Sequence, residues 1–303
     1  MKQTGFLFKL KKTDYITGAS PLTSIDVHES GDWRAFLPEG EKQYKYATFD
    51  TMSCSTFSAL NIVETWLNWF IANDKLSASQ LETINKLGFY KNGKFNASDR
   101  FTAIMSGTTH QGNYFQNVWD SIRHDGLLPE VDFPFGGNSW EEYHDPKNIT
   151  EEMTEKAKKI LDILNFSYEW VAMTPDNSEL ILPALKQSPL HIAIPVPGTH
   201  AVEQVAVGYY FDSYEPYVKE IDTPINYIMK VIGTVKPSRY VFTRSMKIGD
   251  RGEDVEQLQI KFGIKPTGFF YKMTQSAVRV FQRKNGLQVD GIVGPKTLKA
   301  LNK

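Results

Sequence analysis

Apolar residues follow two different periods along this chain, and the change comes near residue 189. Before it, helical spacing dominates. Phe57, Leu60, Val63, Leu67, Phe70 and Ile71 recur at intervals that keep one helical face, which predicts a helix beginning at Cys54. Further helices are expected over 77–87, with Ser77 as N-cap, over 113–125, ended by Gly126, over 151–165 and over 178–187. After Pro189 the runs HIAIPV, AVEQVAVGYYF and YIMKVIGTV are rich in β-branched and aromatic residues, which predicts strands. Helices first and strands later imply an α+β domain, not alternating βαβ units. The first 45 residues read as loop, and 233–244, with Pro237, reads as a connector.

The tail carries a short internal repeat. Gly268-Phe-Phe-x-x-x-Thr274-x-x-Ala277-Val278 aligns with Gly291-Ile-Val-x-x-x-Thr297-x-x-Ala300-Leu301, 23 residues later throughout. Each copy reads as a glycine turn, an apolar plug and a Thr-capped helix start. Another helix starts at Asp254-Val255. Three short helices in about 60 residues hold little core, which suits a binding module better than an enzyme.

The 303 residues are 41% hydrophobic and 23% charged, which excludes a disordered or fibrous chain and suggests two domains. A single cysteine excludes a disulfide scaffold and a cysteine zinc cluster. Net charge is 34 − 35 = −1, but residues 244–303 hold 12 Lys/Arg and 5 Asp/Glu, giving +7. The remainder is 22 − 30 = −8. A basic module favours an anionic partner: nucleic acid, anionic lipid or a wall polymer. The best apolar run, 192–210, is broken by Pro195, Pro197, Gly198, His200, Glu203 and Gln204, so no membrane span is expected. The first residues, MKQTGFLFKLKKTDY, lack an apolar stretch and a cleavage site, so no signal peptide is expected.

The tail resembles the type 1 peptidoglycan-binding domain. The matching residues are Ile248-Gly-Asp-Arg-Gly-Glu-Asp254-Val-Glu-Gln-Leu-Gln259, Ala277-Val-Arg-Val-Phe-Gln282 and Gly286-Leu-Gln-Val-Asp-Gly-Ile-Val-Gly-Pro-Lys-Thr-Leu298. That resemblance implies a three-helix fold over 244–303 that recognises bacterial peptidoglycan, with no nucleic-acid partner.

Cys54 falls where loop becomes helix. Free N–H groups and the positive dipole end favour a thiolate there and can receive an oxyanion. A thiolate nucleophile needs a base that later acts as acid. Of six histidines, His124 suits a surface or C-cap place, and His191 a satisfied place in a sheet. His200 follows Pro197-Gly198-Thr199 and opens the strand His200-Ala201-Val202, which would hold its ring rigid against a cleft.

These residues resemble papain-like cysteine peptidases. The cysteine comes first, at a helix start, and His200 follows 146 residues later. His200-Ala201-Val202 with Val207-Gly208-Tyr209 resembles that family's histidine segment. Phe211-Asp212-Ser213-Tyr214 resembles its Asn-Ser-Trp segment, with Asp212 in the asparagine position. The 189–194 strand and the stretch 112–135, with Phe133-Pro134-Phe135, also match, so the resemblance spans about 43–236. It departs at Ser55-Thr56-Phe57 and at Thr48, where the family has its oxyanion glutamine. Gln43, eleven residues before the cysteine, is the nearest candidate for that role.

The resemblance implies a papain-like cysteine peptidase fold over 1–238, a helical part followed by an antiparallel sheet or barrel part. It implies thiolate acyl transfer by Cys54, with His200 as acid and base. Asp212 would orient the ring by accepting its Nδ1–H. No metal or cofactor is needed. Three functions stay open: a peptidoglycan peptide hydrolase of the endolysin kind used by bacteriophages, a wall- or virion-associated protease acting on proteins, and a catalytically silent wall-binding protein. The first is expected to wait in the cytoplasm until released to the wall.

Overall fold

The computed structural model describes residues 3–4, 6–9, 27–45, 48–172, 177–195, 198–225, 227–235 and 241–302. The chain divides into two compact units, Met1–Pro237 and Ser238–Lys303. Pro197 and Pro237 lie outside the described residues.

The first unit is helical and then sheet-forming, so the α+β class expected from the sequence holds. Short pairings come first in the chain. Strand β1 (Gln3–Thr4) later meets the main sheet, and β2 (Phe6–Leu7) pairs with β7 (Asn113–Tyr114). Strands β3 (Tyr44–Lys45) and β4 (Phe49–Asp50) form a hairpin just before the cysteine, and β5 (Tyr90–Lys91) pairs with β6 (Lys94–Phe95).

Helix α1 (Cys54–Ala72) begins at the predicted residue. Every residue from Cys54 to Leu67 is buried, so it is a core helix and not a surface one. Full burial of one such side chain, Leu60 for instance, contributes about 1.5–3 kcal/mol. Helix α2 (Ala78–Leu87) starts at the predicted cap: Ser77 Oγ accepts from Gln80 N–H, and Gln80 Oε1 accepts from Ser77 N–H at 2.9 Å. Helix α3 (Asp99–Met105), capped by Ser98, escaped the periodicity reading because it is only two turns long. Helix α4 (Phe115–Asp125) ends at Gly126 as expected, and α5 (Trp140–Tyr143) is a single turn.

The expected helix over 151–165 is shorter. Helix α6 (Glu151–Lys158) continues as a 3-10 turn to Asp162, and the chain then enters strand β8 (Leu164–Ala172). Pairing decides this: Asn165 lies opposite Thr234 and Leu164 opposite Val235, and ladder hydrogen bonds outweigh a marginal last helical turn. Helix α7 (Ser178–Leu185) follows.

Strands β9 (Leu190–Ile194), β10 (Gly198–Ala206), β11 (Tyr209–Phe211), β12 (Val218–Glu220) and β13 (Tyr227–Val235) complete the main sheet. Its order is β12-β11-β10-β9-β13-β8, with β1 added parallel to β10. The predicted 201–211 run is thus a hairpin that turns at Val207-Gly208. Gly198 and Thr199 belong to β10, so His200 sits inside the strand and not at its start. Gly233 to Val235, which the sequence placed both at the end of the YIMKVIGTV strand run and in the connector, finish β13. Apolar residues of α1 and of β9, β10 and β13 share one core, which fixes the helix against the sheet.

The second unit has α8 (Glu253–Lys261), α9 (Lys272–Lys284) and α10 (Pro295–Leu301) around a core of Phe242, Met246, Val255, Leu258, Phe270, Val278, Val293 and Leu301. The repeat proves to be a repeat of hydrogen bonds. Gln259 Nε2 donates to Thr267 Oγ1, the Phe269 carbonyl and Thr274 Oγ1, at 2.9–3.1 Å. Gln282 Nε2 makes the corresponding bonds to Asp290 Oδ1, the Ile292 carbonyl and Thr297 Oγ1. Thr274 and Thr297 are therefore not caps. Tyr271 and Gly294 hold the N-cap positions, and each threonine sits inside the first turn, accepting from a buried glutamine. Satisfying these polar groups internally lets so small a core close. Among the described residues, no helix is long and apolar enough to cross a membrane.

Candidate active site

Three of the four candidate residues meet where α1 points at the sheet. Cys54 is the first residue of α1, so its N–H has no intrahelical acceptor. The loop before it is held tightly. The Thr51 carbonyl accepts from His144 Nε2 at 2.8 Å, Trp140 Nε1 at 3.1 Å and Ser53 Oγ at 3.1 Å. Burial lowers the His144 pKa to about 4, so this ring is neutral and Nε2 carries its proton. Met52 stands at φ +58°, a conformation that costs a non-glycine residue about 1–3 kcal/mol and marks a constrained loop. Asp50 Oδ1 supports it by accepting the Met52 N–H at 2.7 Å.

His200 comes from β10 and Asp212 from just after β11. His200 Nε2 lies 2.7 Å from Asp212 Oδ1, and a carboxylate only accepts, so Nε2 donates. This corrects the expectation that Nδ1–H would face the aspartate. His200 also hydrogen-bonds the Cys54 side chain, and Nδ1 is the nitrogen left for it. The sulfur accepts the Ala201 N–H as well, at 3.5 Å. Burial alone would lower the His200 pKa. The bonds to Asp212 and Cys54 outweigh it and raise the value to about 10. Burial alone would raise that of Asp212, but His200 and Lys219 hold it below the usual carboxylate range. All three groups are buried, and Cys54 has 0% exposure.

Gln43 also reaches this region. Its Oε1 accepts from Ser213 Oγ at 2.7 Å, but its Nε2 donates to Asp50 Oδ1 at 3.0 Å and to the Tyr214 hydroxyl at 2.9 Å. Both amide hydrogens have acceptors, so Gln43 presents no free donor for an oxyanion. It ties the loop before the cysteine to the segment after Asp212.

Sequence reasoning missed several neighbours. Lys219 Nζ lies 2.6 Å from Asp212 Oδ2, brought there by the β11–β12 hairpin. Tyr214 packs its edge on His200 at 5.5 Å, stacks on Tyr44 at 5.2 Å and donates its hydroxyl to Asp50. A third set anchors the helix. Trp119 Nε1 donates to His191 Nδ1 at 3.1 Å, so His191 Nε2–H donates to Ser58 Oγ at 2.6 Å, and Ser58 donates to the Cys54 carbonyl at 2.7 Å. His191 is thus the satisfied sheet histidine expected, and His124 lies exposed in the last turn of α4. Ser58 and His191 stand 133 residues apart and Asp50 and Tyr214 stand 164 apart, and pairings so distant leave no local trace in the sequence.

Residues 251–301 match the family model described as "Putative peptidoglycan binding domain". The match lies within the second unit and includes none of Cys54, His200 and Asp212. No curated protein matches the chain significantly. Among solved structures, similar ones include xylellain, a cysteine protease from Xylella fastidiosa, at 14% identity and TM-score 0.43, over 78% of this chain and 96% of that one. Digestive procathepsin L 3 of Tenebrio molitor larval midgut aligns at 14% identity and TM-score 0.44, over 76% of each chain. A periplasmic domain of the EpsAB fusion protein of the Vibrio vulnificus type II secretion system aligns at 18% identity and TM-score 0.19, over 46% of this chain and 64% of that one.

Proposed function

We propose that the chain is a cell-wall-targeted cysteine peptidase that hydrolyses peptide bonds of peptidoglycan, as endolysins do. Residues 1–238 are the catalytic part and 244–303 the wall-binding part. The observation that supports this best is the buried line from Cys54 through His200 to Asp212, in a chain that also matches a peptidoglycan-binding model.

The Cys54 thiolate attacks the amide carbonyl carbon and a C–S bond forms. The Cys54 N–H, at the positive end of α1, stabilises the oxyanion. His200 Nδ1–H protonates the amine as the C–N bond breaks, leaving a thioester. His200 then takes a proton from water, whose oxygen attacks the thioester and restores the thiolate. Asp212 holds the ring, and Lys219 holds Asp212. The second unit keeps the enzyme on its substrate and raises the effective concentration of stem-peptide bonds.

Wild-type protein incubated with peptidoglycan and with casein tests the substrate. New free amines from peptidoglycan are expected. Cleavage of casein alone would replace this reading by that of a protein-directed protease, and cleavage of neither by that of a silent wall-binding protein.

The wall-binding role has its own test. Residues 238–303 form a unit with their own core, and the stretch 244–303 within it carries +7 (12 − 5). Expressed alone, they are expected to sediment with cell walls at low salt and more weakly at about 1 M salt, where screening shortens to about 3 Å. Retention in the supernatant at low salt would sink the anchoring role.

The pH profile follows from the histidine and aspartate. The raised His200 pKa means that the imidazolium, and the stability it brings, is fully present below about 6.5 and lost as pH rises through about 10. The alkaline limb of hydrolysis is therefore expected near pH 10. For Asp212, whose value is lowered, the contribution is present above 3.8 and lost as pH falls through the folded value. Removing the cation in Lys219→Met raises that folded value, so the acid limb is expected to move to higher pH. An unchanged acid limb would show that Lys219 does not act through Asp212.

A further inference from the structure

One helical turn after Cys54, on the same face of α1, Phe57 lines a cavity of about 320 Å³. Three carboxylates line it with the Phe57 ring: Glu41, Asp99 and Glu130, together with Phe135 and Tyr143. The cations that also line it are committed elsewhere. Arg100 donates to the carbonyls of Tyr143 and Glu142, Lys45 to the Gly137 carbonyl and Asn138, and Lys42 pairs with Glu215 at 3.1 Å.

Two oxygens of this lining are orphaned. Asp99 is 7% exposed and its Oδ1 has no hydrogen-bond partner. Tyr143 is fully buried and its hydroxyl has none either. Leaving such groups unsatisfied when buried is costly, so something polar belongs beside them. Burial, then Glu41, through its charge and a hydrogen bond shared between the two carboxyl groups, then Glu64 and Glu130 push the Asp99 carboxyl well above its usual range, which an incoming positive charge would relieve. A primary ammonium has three donors for these oxygens, and the apolar rings of Phe57 and Phe135 suit its alkyl stem.

We propose that this cavity binds a primary ammonium group, and that it serves as a subsite for an amine of the substrate peptide. The subsite role rests on the wall-peptidase reading above; amine binding does not.

Full-length Cys54→Ala protein, titrated calorimetrically with n-butylammonium chloride, glycinamide hydrochloride and sodium butyrate, tests the binding. Saturable binding of an amine and none of butyrate is expected. Preference for n-butylammonium identifies a side-chain amine, and preference for glycinamide a free α-amine. Asp99→Asn and Glu130→Gln, each added to Cys54→Ala and checked for folding by circular dichroism, are expected to weaken binding at least tenfold. If no amine saturates, or if both variants bind as tightly as the parent, only water fills the cavity and the proposal fails. Acetylating the amines of peptidoglycan is expected to slow wild-type wall hydrolysis at least tenfold. An unchanged rate with amine binding intact overturns the subsite role. Because binding is read on a protein without its thiol, failure to cut walls at all would count against the enzymatic reading alone.

Discussion

Cys54→Ala is expected to lower the release of amines from peptidoglycan by at least about 10⁴-fold while leaving wall sedimentation intact. The size follows from the mechanism. Without sulfur there is no thioester route, and His200 and Asp212 have nothing to activate. Members of such a unit fail together, so His200→Ala on top of Cys54→Ala should add little. The fold should survive, because the helix start is held by other groups: Asp50 on Met52, Ser58 on the Cys54 carbonyl, and His144 and Trp140 on Thr51. An equal fall in sedimentation would mean that the variant had lost its structure. Full hydrolysis by the variant would remove Cys54 from the chemistry.

Gly126→Ala is expected to destabilise the first unit by about 3–4 kcal/mol, lowering its thermal midpoint by roughly 10 °C. Gly126 ends α4 at φ 80° and ψ −156°, a conformation open essentially to glycine alone. An added Cβ would stand 2.1 Å from the Ala157 carbonyl oxygen, which already accepts the Leu127 N–H at 3.1 Å. Backbone on both sides cannot give way. Gly208 provides the control: its φ is also 80°, but a Cβ there meets nothing within 4 Å. Gly208→Ala should cost only the conformational part, about 1 kcal/mol. Equal midpoints for the two variants, measured by calorimetry, would show that the contact with Ala157 is not what Gly126 provides.

Much of the site was readable because its chemistry is tied to local transitions. A cysteine at the first position of an apolar helix and a histidine early in a β-branched strand leave marks within ten residues of themselves. The α+β order was readable for the same reason, since helical and strand periods differ. Strand β8 was missed altogether although Phe166, Tyr168 and Trp170 alternate there, because the preceding helical pattern ran into it without a breaker. The threonines of the repeat were correctly singled out but given the wrong task. Their partners, Gln259 and Gln282, lie 15 residues away, beyond the reach of capping logic.

Sequence alone determined the single thiol, the tail's +7 charge, the 23-residue repeat and the helix that begins at Cys54. These depend on composition and on neighbours along the chain. Only the tertiary structure decided that Nε2 of His200 faces Asp212, that Lys219 backs that carboxylate, and that Gln43 spends both amide hydrogens on Asp50 and Tyr214. Hydrogen-bond direction and orphaned oxygens such as Asp99 Oδ1 depend on which distant groups burial forces together. Packing chooses those partners across gaps of up to 171 residues, as between Gln43 and Tyr214, and a linear pattern does not encode that choice.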